Sequence, residues 1–173
     1  MKLIPTTVKD IPQVIQIIND AKQYLKASRI PQWQNGYPNE ETIAGDIIDG
    51  TGFVLIDNDI VVGTVCVSFA GEATYDKIYE GYWLTVTDPF AVVHRIAISD
   101  ALKGHNYATK MLDYIVELCL EKDIHSIKID THKENRAMQR LLKKNGFTYC
   151  GIILLDADSA EQDLERIAFE RVI

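Results

Sequence analysis

The stretch that most restricts the fold is Ala91-Val92-Val93-His94-Arg95-Ile96-Ala97-Ile98, together with the loop and helix that come after it. The segment is apolar except at its centre, which predicts a strand buried on both faces. It runs into the short loop Ser99 to Asn106, and from there the period becomes helical. Ala108, Met111, Leu112, Ile115, Val116 and Cys119 form one stripe, with Lys110, Asp113, Glu117 and Glu121 on the other side. A buried strand feeding a one-sided helix requires a sheet for that helix to lie on.

The rest of the chain supplies the sheet. Residues 2–6 read as a strand. Asp10 stands before a helix with Pro12 in its first turn, where the missing N–H costs nothing. Ile11, Val14, Ile15, Ile18 and Leu25 keep helical spacing, and the pattern fades over Ser28 to Pro31. Residues 31–38 are turn-rich and aromatic. Asn39 is placed to cap a second helix that stops at Gly50. Residues 52–57 and 60–69 form a hairpin around Asp57-Asn58-Asp59, a tight-turn signal. Residues 70–90 have no regular period. Residues 126–130, 147–155 and 164–172 read as strands, and 134–144 as a helix ended by Asn145-Gly146. The order β-α-α-β-β-β-α-β-α-β-β mixes crossovers with hairpins, so an α/β fold with a mixed sheet is expected, as a single domain over residues 1–173.

Several function classes drop out. With 25 acidic against 18 basic residues the net charge is −7, which disfavours nucleic-acid binding. Apolar residues make up 47%, too many for disorder. Cys66, Cys119 and Cys150 are odd in number and far apart, and read as buried free thiols. His94, His105, His125 and His132 show no metal-ligand spacing, so no metal is expected. No run approaches the ~18 apolar residues of a membrane span, and Met1-Lys2-Leu3-Ile4-Pro5 begins no secretory signal. A cytoplasmic location without membrane association is the expectation.

The loop after Ile98 has the character of an anion site. Free N–H groups at a helix N-terminus, Lys103 as a cation and Gly104 for close backbone approach suit a phosphate. An ordinary strand-to-helix turn has the same outline. Neither a Walker A nor a dinucleotide-binding glycine pattern is present. One strand further on, Asn135-Arg136-Ala137-Met138-Gln139-Arg140-Leu141-Leu142-Lys143-Lys144-Asn145-Gly146-Phe147 forms a helix that ends at Gly-Phe.

In order and spacing these segments resemble the GNAT superfamily of acyl-CoA-dependent N-acetyltransferases, bacterial type. Lys103, Asn106 and Ala108 occupy the family's R/Q-x-x-G-x-G/A positions, with Asn106 in place of the central glycine. Asn135, Leu141, Lys144, Gly146 and Phe147 match N-x-x-A-x-x-L-Y-x-K-x-G-F, and His94 to Ile98 resembles the strand before the loop. The resemblance implies a mainly antiparallel central sheet flanked by helices. It implies an acetyl group moved from acetyl-CoA, as acyl-donor co-substrate, to a primary amine of a small molecule or peptide by direct attack. A non-catalytic acyl-CoA-binding or regulatory module is the alternative. The implied cofactor residues are Ile96, Ala97 and Ile98 along the pantetheine arm. Lys103, Gly104, His105, Asn106, Tyr107, Ala108 and Thr109 lie at the pyrophosphate, and Asn135 and Lys144 on the flanking helix. Leu142 stands where many members carry a tyrosine that protonates the thiolate, and leucine cannot donate a proton. Family members are commonly dimers, which leaves monomer and homodimer both open.

For the base that neutralises the amine, His94 suits by position and by the ordinary titration range of histidine. A core histidine satisfied by its neighbours fits as well. Glu80, with Glu72, Asp76 and Asp88, either steers a cationic amine and takes its proton through water or belongs to a solvated loop. Arg95 reads as a structural ion pair. Trp33 and Tyr37 in the 31–38 connection, and Tyr82 and Trp83 before the central strand, are candidates for the acceptor wall, with aromatic packing as the competing account. The acidic surplus points weakly to a cationic acceptor.

Overall fold

The structure is a computed structural model that describes residues 1–86, 89–159, 161 and 163–173. Its elements are β1 (Lys2–Pro5), α1 (Ile11–Ala27), α2 (Glu40–Ile48), β2 (Gly52–Asp57), β3 (Ile60–Ser68), β4 (Ala91–Ile98), α3 (Tyr107–Leu120), β5 (Ser126–Thr131), α4 (Arg136–Lys144), β6 (Thr148–Leu154) and β7 (Glu165–Val172). The seven strands form one sheet in the order β1-β2-β3-β4-β5-β7-β6. Every neighbouring pair is antiparallel except β4 with β5.

Local chemistry explains most boundaries. Pro sits in the first turn of α1. At α2, Asn39 accepts from the Thr42 N–H while Thr42 Oγ1 accepts from the Asn39 N–H, a reciprocal cap. The β2–β3 turn uses Asn58 and Asp59 with φ of 47° and 61°, the left-handed pair that a two-residue hairpin needs. Residues 70–90 contain one short 3-10 turn, Ala73–Tyr75, and no strand among the described residues.

Alternating side chains divide the core. Phe53, Leu55, Val93, Met111, Ile115 and Leu142 pack on the face covered by α3 and α4. Val54, Val61 and Ala97 face α1 and α2 through Val14, Ile18 and Ile43. Each such aliphatic side chain contributes about 1.5–3 kcal/mol by leaving water. On the second face the 70–90 segment adds Tyr75 and Trp83 against Val92, Ile153 and Ala168. All three cysteines are buried and free, and burial pushes the Cys119 and Cys150 thiols up to about 11. No helix among the described residues is long and apolar enough to cross a membrane.

One expectation needs correction. β4 is buried continuously over Ala91–Val93 and again at Ala97, but His94, Arg95, Ile96 and Ile98 are half-buried. The cause is its neighbour. β4 pairs with β5 only at Ala91↔Ile127 and Val92↔Lys128, and beyond that the two strands part.

Candidate functional site

The parting of β4 from β5 opens a cleft of about 620 Å³ across the middle of the sheet. That is within the range of small-molecule sites. Its walls include Val93 to Ile98 of β4, Ile129 to Thr131 of β5, Asn135, Met138 and Leu141 around α4, and Trp33 and Tyr37 from the 31–38 connection.

β4 carries a bulge at the widest part. Its register with β3 shifts between Thr64↔Ala97 and Cys66↔His94, so two β4 residues oppose Val65. Arg95 takes φ = 52°, a left-handed conformation unfavourable for a side chain-bearing residue. A clamp holds it there. The Arg95 guanidinium donates to both carboxylate oxygens of Asp46 on α2, and at 2.6 Å to the Tyr37 hydroxyl. Burial of Tyr37 raises the pKa of its phenol, with Arg95 opposing that shift. Tyr37 and the 31–38 connection are thereby fastened to the bulge.

Beside the bulge, His94 Nε2 lies 3.3 Å from Glu72 Oε2. Glu72 Oε1 accepts from the Thr74 N–H and hydroxyl. The hydrogen bond with His94, followed by those from Thr74, holds the Glu72 carboxyl at about 2 against the opposing effect of burial. His94 and Glu72 both line the cleft.

At the other end lies the loop into α3. Gly104 and Asn106 have φ of 86° and 63°. Asn106 makes no side-chain cap; its Oδ1 accepts from Lys144 Nζ at 3.2 Å instead. The first N–H groups of α3 therefore have no capping partner from the Asn106 side chain. Lys103 pairs with Asp100 and lies 4.3 Å above the Tyr24 ring.

Matched against family models, residues 16–147 fit the acetyltransferase (GNAT) family. The chain belongs to that family. It is a GNAT acetyltransferase. The fold agrees with solved structures: a GNAT-family acetyltransferase from Streptococcus agalactiae 2603 superposes with a TM-score of 0.89 at 30% identity, covering 99% of this chain and 95% of that one. A structure described as a putative acetyltransferase from Staphylococcus aureus Mu50 gives 0.72 at 22% identity over 99% of both chains. The ribosomal-protein-alanine N-acetyltransferase from Brucella melitensis gives 0.69 at 17% over 100% of both. No curated protein matches the sequence at a significant level.

Of the residues singled out from sequence, this acetyltransferase brings His94, Ile96, Ala97, Ile98, Lys103, Ala108, Asn135, Trp33 and Tyr37 to the cleft. Gly104, His105, Asn106, Tyr107, Thr109 and Lys144 flank its phosphate-suited end without lining the cavity itself. Tyr107 is turned to Asp57, its hydroxyl 2.8 Å from Oδ2, and Thr109 Oγ1 accepts from the Asn145 amide. Glu80 and Tyr82 are exposed and away from the cavity. Trp83 is also elsewhere. Its ring lies 5.1 Å from that of Tyr75 and its N–H donates to the Tyr75 carbonyl, so it closes the core under the 70–90 segment. Of the acids in residues 72–88, Glu72 lines the cleft, whereas Asp76 does not and Asp88 lies outside the described residues. Leu142 is wholly buried in the core, and its neighbour Leu141 reaches the cavity. Asp130, Asp156, Asp158 and Glu161 also line it, and the sequence does not single them out. Asp130 sits at the end of a strand and the others in the loop before β7, with no motif to mark them.

The Asn106 substitution is directly testable. Asn106→Val places a β-branched residue at φ = 63° and is expected to lose about 1–2 kcal/mol in urea unfolding. Asn106→Gly, free to adopt the same turn, is expected to stay within about 0.5 kcal/mol of the parent.

Proposed function

We propose that this GNAT acetyltransferase transfers the acetyl group of acetyl-CoA to a primary amine of a small molecule or peptide by direct attack. The observation that carries this is the cleft itself, open on one edge of β4 with the His94–Glu72 pair beside the bulge. The residues present fit an acyl-CoA. Beyond Val92 the β4 edge facing β5 has no strand partner, so its N–H and C=O groups suit an extended amide chain. The uncapped start of α3, with Lys103 and Lys144 nearby, suits a pyrophosphate. Asn135 and Met138 border the channel between. When bound, acetyl-CoA supplies the acetyl group as an activated thioester.

The chain's own residues do the rest. The amine must be neutral to attack, and its proton passes to His94, whose imidazolium is stabilised by the ionised Glu72. Backbone N–H groups of β4 at the bulge donate to the developing oxyanion. The departing thiolate needs no specific acid, because a thiol is far more acidic than an alcohol. Leu142 is therefore compatible with turnover. Trp33 and Tyr37 form the wall against which the acceptor lies.

Titrating the protein with acetyl-CoA in a calorimeter should give saturable heat, and adding a panel of primary amines should release free thiol. Heat without thiol release from any amine would turn the reading to an acyl-CoA-binding module. No heat at all would overturn the cofactor assignment.

A further inference from the structure

We propose that Arg95 is a positioning residue for acetyl transfer: its left-handed backbone, held by Asp46 and Tyr37, keeps His94 turned toward the cleft. This rests on the acetyl-transfer reading of the site. The phase of β4 carries the inference. Side chains along a strand alternate between the two faces of the sheet. Val93, Ile96 and Ile98 pack on the face covered by α3 and α4. Val92 and Ala97 pack on the second face. Unbroken alternation from Val92 would turn Arg95 into the α3–α4 core and Ile96 and Ile98 out of it. The bulge absorbs the extra residue. His94 then meets Glu72, and Arg95 meets Asp46 of α2, two consecutive side chains on the second face. The turn at Arg95 is what lets His94 stand at the cleft while Ile96 and Ile98 still fill the core.

That conformation needs support. Among the described residues Arg95 is the only non-glycine residue with positive φ inside a strand. Unsupported, the left-handed region is disfavoured for such a residue by about 5–30-fold. Glycine has no such preference. The chain has arginine there instead, with three nitrogens engaged: Nε and Nη2 on the two oxygens of Asp46, and Nη1 on the Tyr37 hydroxyl. The side chains of Arg95 and Asp46 are only 14% and 12% exposed, so their pairing escapes most of the screening that weakens surface ion pairs. Both anchors are themselves fixed. Asp46 lies on α2, which is capped reciprocally and buries Ile43 against the sheet, and Tyr37 belongs to the cleft wall. An arginine thus enforces what a glycine would only permit, and it ties the residue beside His94 to a helix and to the wall.

The test measures kcat for thiol release from acetyl-CoA with the fastest alkyl amine of the panel. It uses an Asp46→Asn background, so that removing the guanidinium leaves no carboxylate unpaired. In that background Arg95→Gly and Arg95→Ala both lack the clamp and differ by one methyl group. The Tyr37 hydroxyl loses its partner equally in both. Arg95→Gly is expected to exceed Arg95→Ala in kcat by about fivefold or more, with both folded by circular dichroism at the assay temperature. Arg95→Asn, whose side chain tolerates the left-handed region, is expected to fall between them, and it carries the comparison with glycine if the alanine form does not fold. Equal kcat in all three, each slower than the parent, overturns the proposal, because Arg95 then acts through its own guanidinium at the cavity it borders. Equal kcat at the level of the parent also overturns it and makes the clamp a matter of stability alone. Both outcomes leave acetyl transfer standing. Silence of the parent with every amine despite acetyl-CoA heat overturns the acetyl-transfer reading, and the proposal with it.

Discussion

Replacing His94 with alanine is expected to lower kcat/KM for acetyl transfer about a hundredfold at neutral pH, the lower end of what a positioned general base contributes. The deficit should shrink toward pH 9. Near neutrality almost every alkyl amine is protonated and must shed its proton before attack; at higher pH more of it arrives neutral. The alanine variant loses the imidazole beside the bulge and leaves Glu72 without the partner that holds its carboxyl at about 2. Glu72→Gln removes the charge that stabilises the imidazolium but keeps the base, so a smaller loss, about tenfold, is expected. The decisive measurement is the pH–rate profile with saturating acetyl-CoA. A His94→Ala profile parallel to that of the parent would remove His94 from the reaction.

The largest effect on folding is expected at Gly81. A Cβ there would lie 1.9 Å from the Cys150 carbonyl oxygen and 2.8 Å from its carbon, both backbone atoms. No side-chain rotation relieves such a collision. The segment is laid on β6 as a short antiparallel rung, with Tyr79 N–H donating to Ile152 O and Ile152 N–H to Tyr79 O, each at 2.8 Å. Gly81→Ala must push this rung off the sheet, and with it Trp83 and Tyr75 from the core beneath. Overpacking of this kind is expected to cost roughly 3 kcal/mol, which for a chain of this size lowers Tm by roughly 6–12 °C. Gly45→Ala is the control. Gly45 lies inside α2 with nothing within 4 Å of an added Cβ, so alanine there is expected to raise stability by about 0.5–1 kcal/mol. Thermal melts of the two variants beside the parent check both signs.

Local features of the chain were the ones legible in its sequence. The limits of β4, the hairpin turn and the cap of α2 arise from period, turn residues and Asn39, all local. The loop into α3 is legible for the same reason, down to Asn106 in the left-handed conformation that asparagine tolerates. What escapes is non-local. His94 is identifiable as a candidate, but its partner Glu72 is no better marked than Glu80, Asp76 or Asp88; only the fold places one of them at 3.3 Å. The Arg95 clamp joins Asp46 and Tyr37 across more than 45 residues, and the Trp33–Glu161 bond spans 128. Strand periodicity gives no warning that β4 loses its partner halfway. The apolar run looks the same whether a strand or a ligand covers it.

That loss of partner has a thermodynamic side. Two rungs, Ala91↔Ile127 and Val92↔Lys128, join the half-sheet of β1 to β4 to the half-sheet of β5 to β7. The seam with the fewest backbone hydrogen bonds coincides with the cleft that a ligand would fill. Whatever binds there bridges the two halves, and by mass action adds RT ln(1 + [L]/Kd) to the stability of the whole, about 2.7 kcal/mol at a hundredfold excess over Kd. Where the sheet is incomplete, a ligand that spans the gap becomes one of the forces that hold the protein folded.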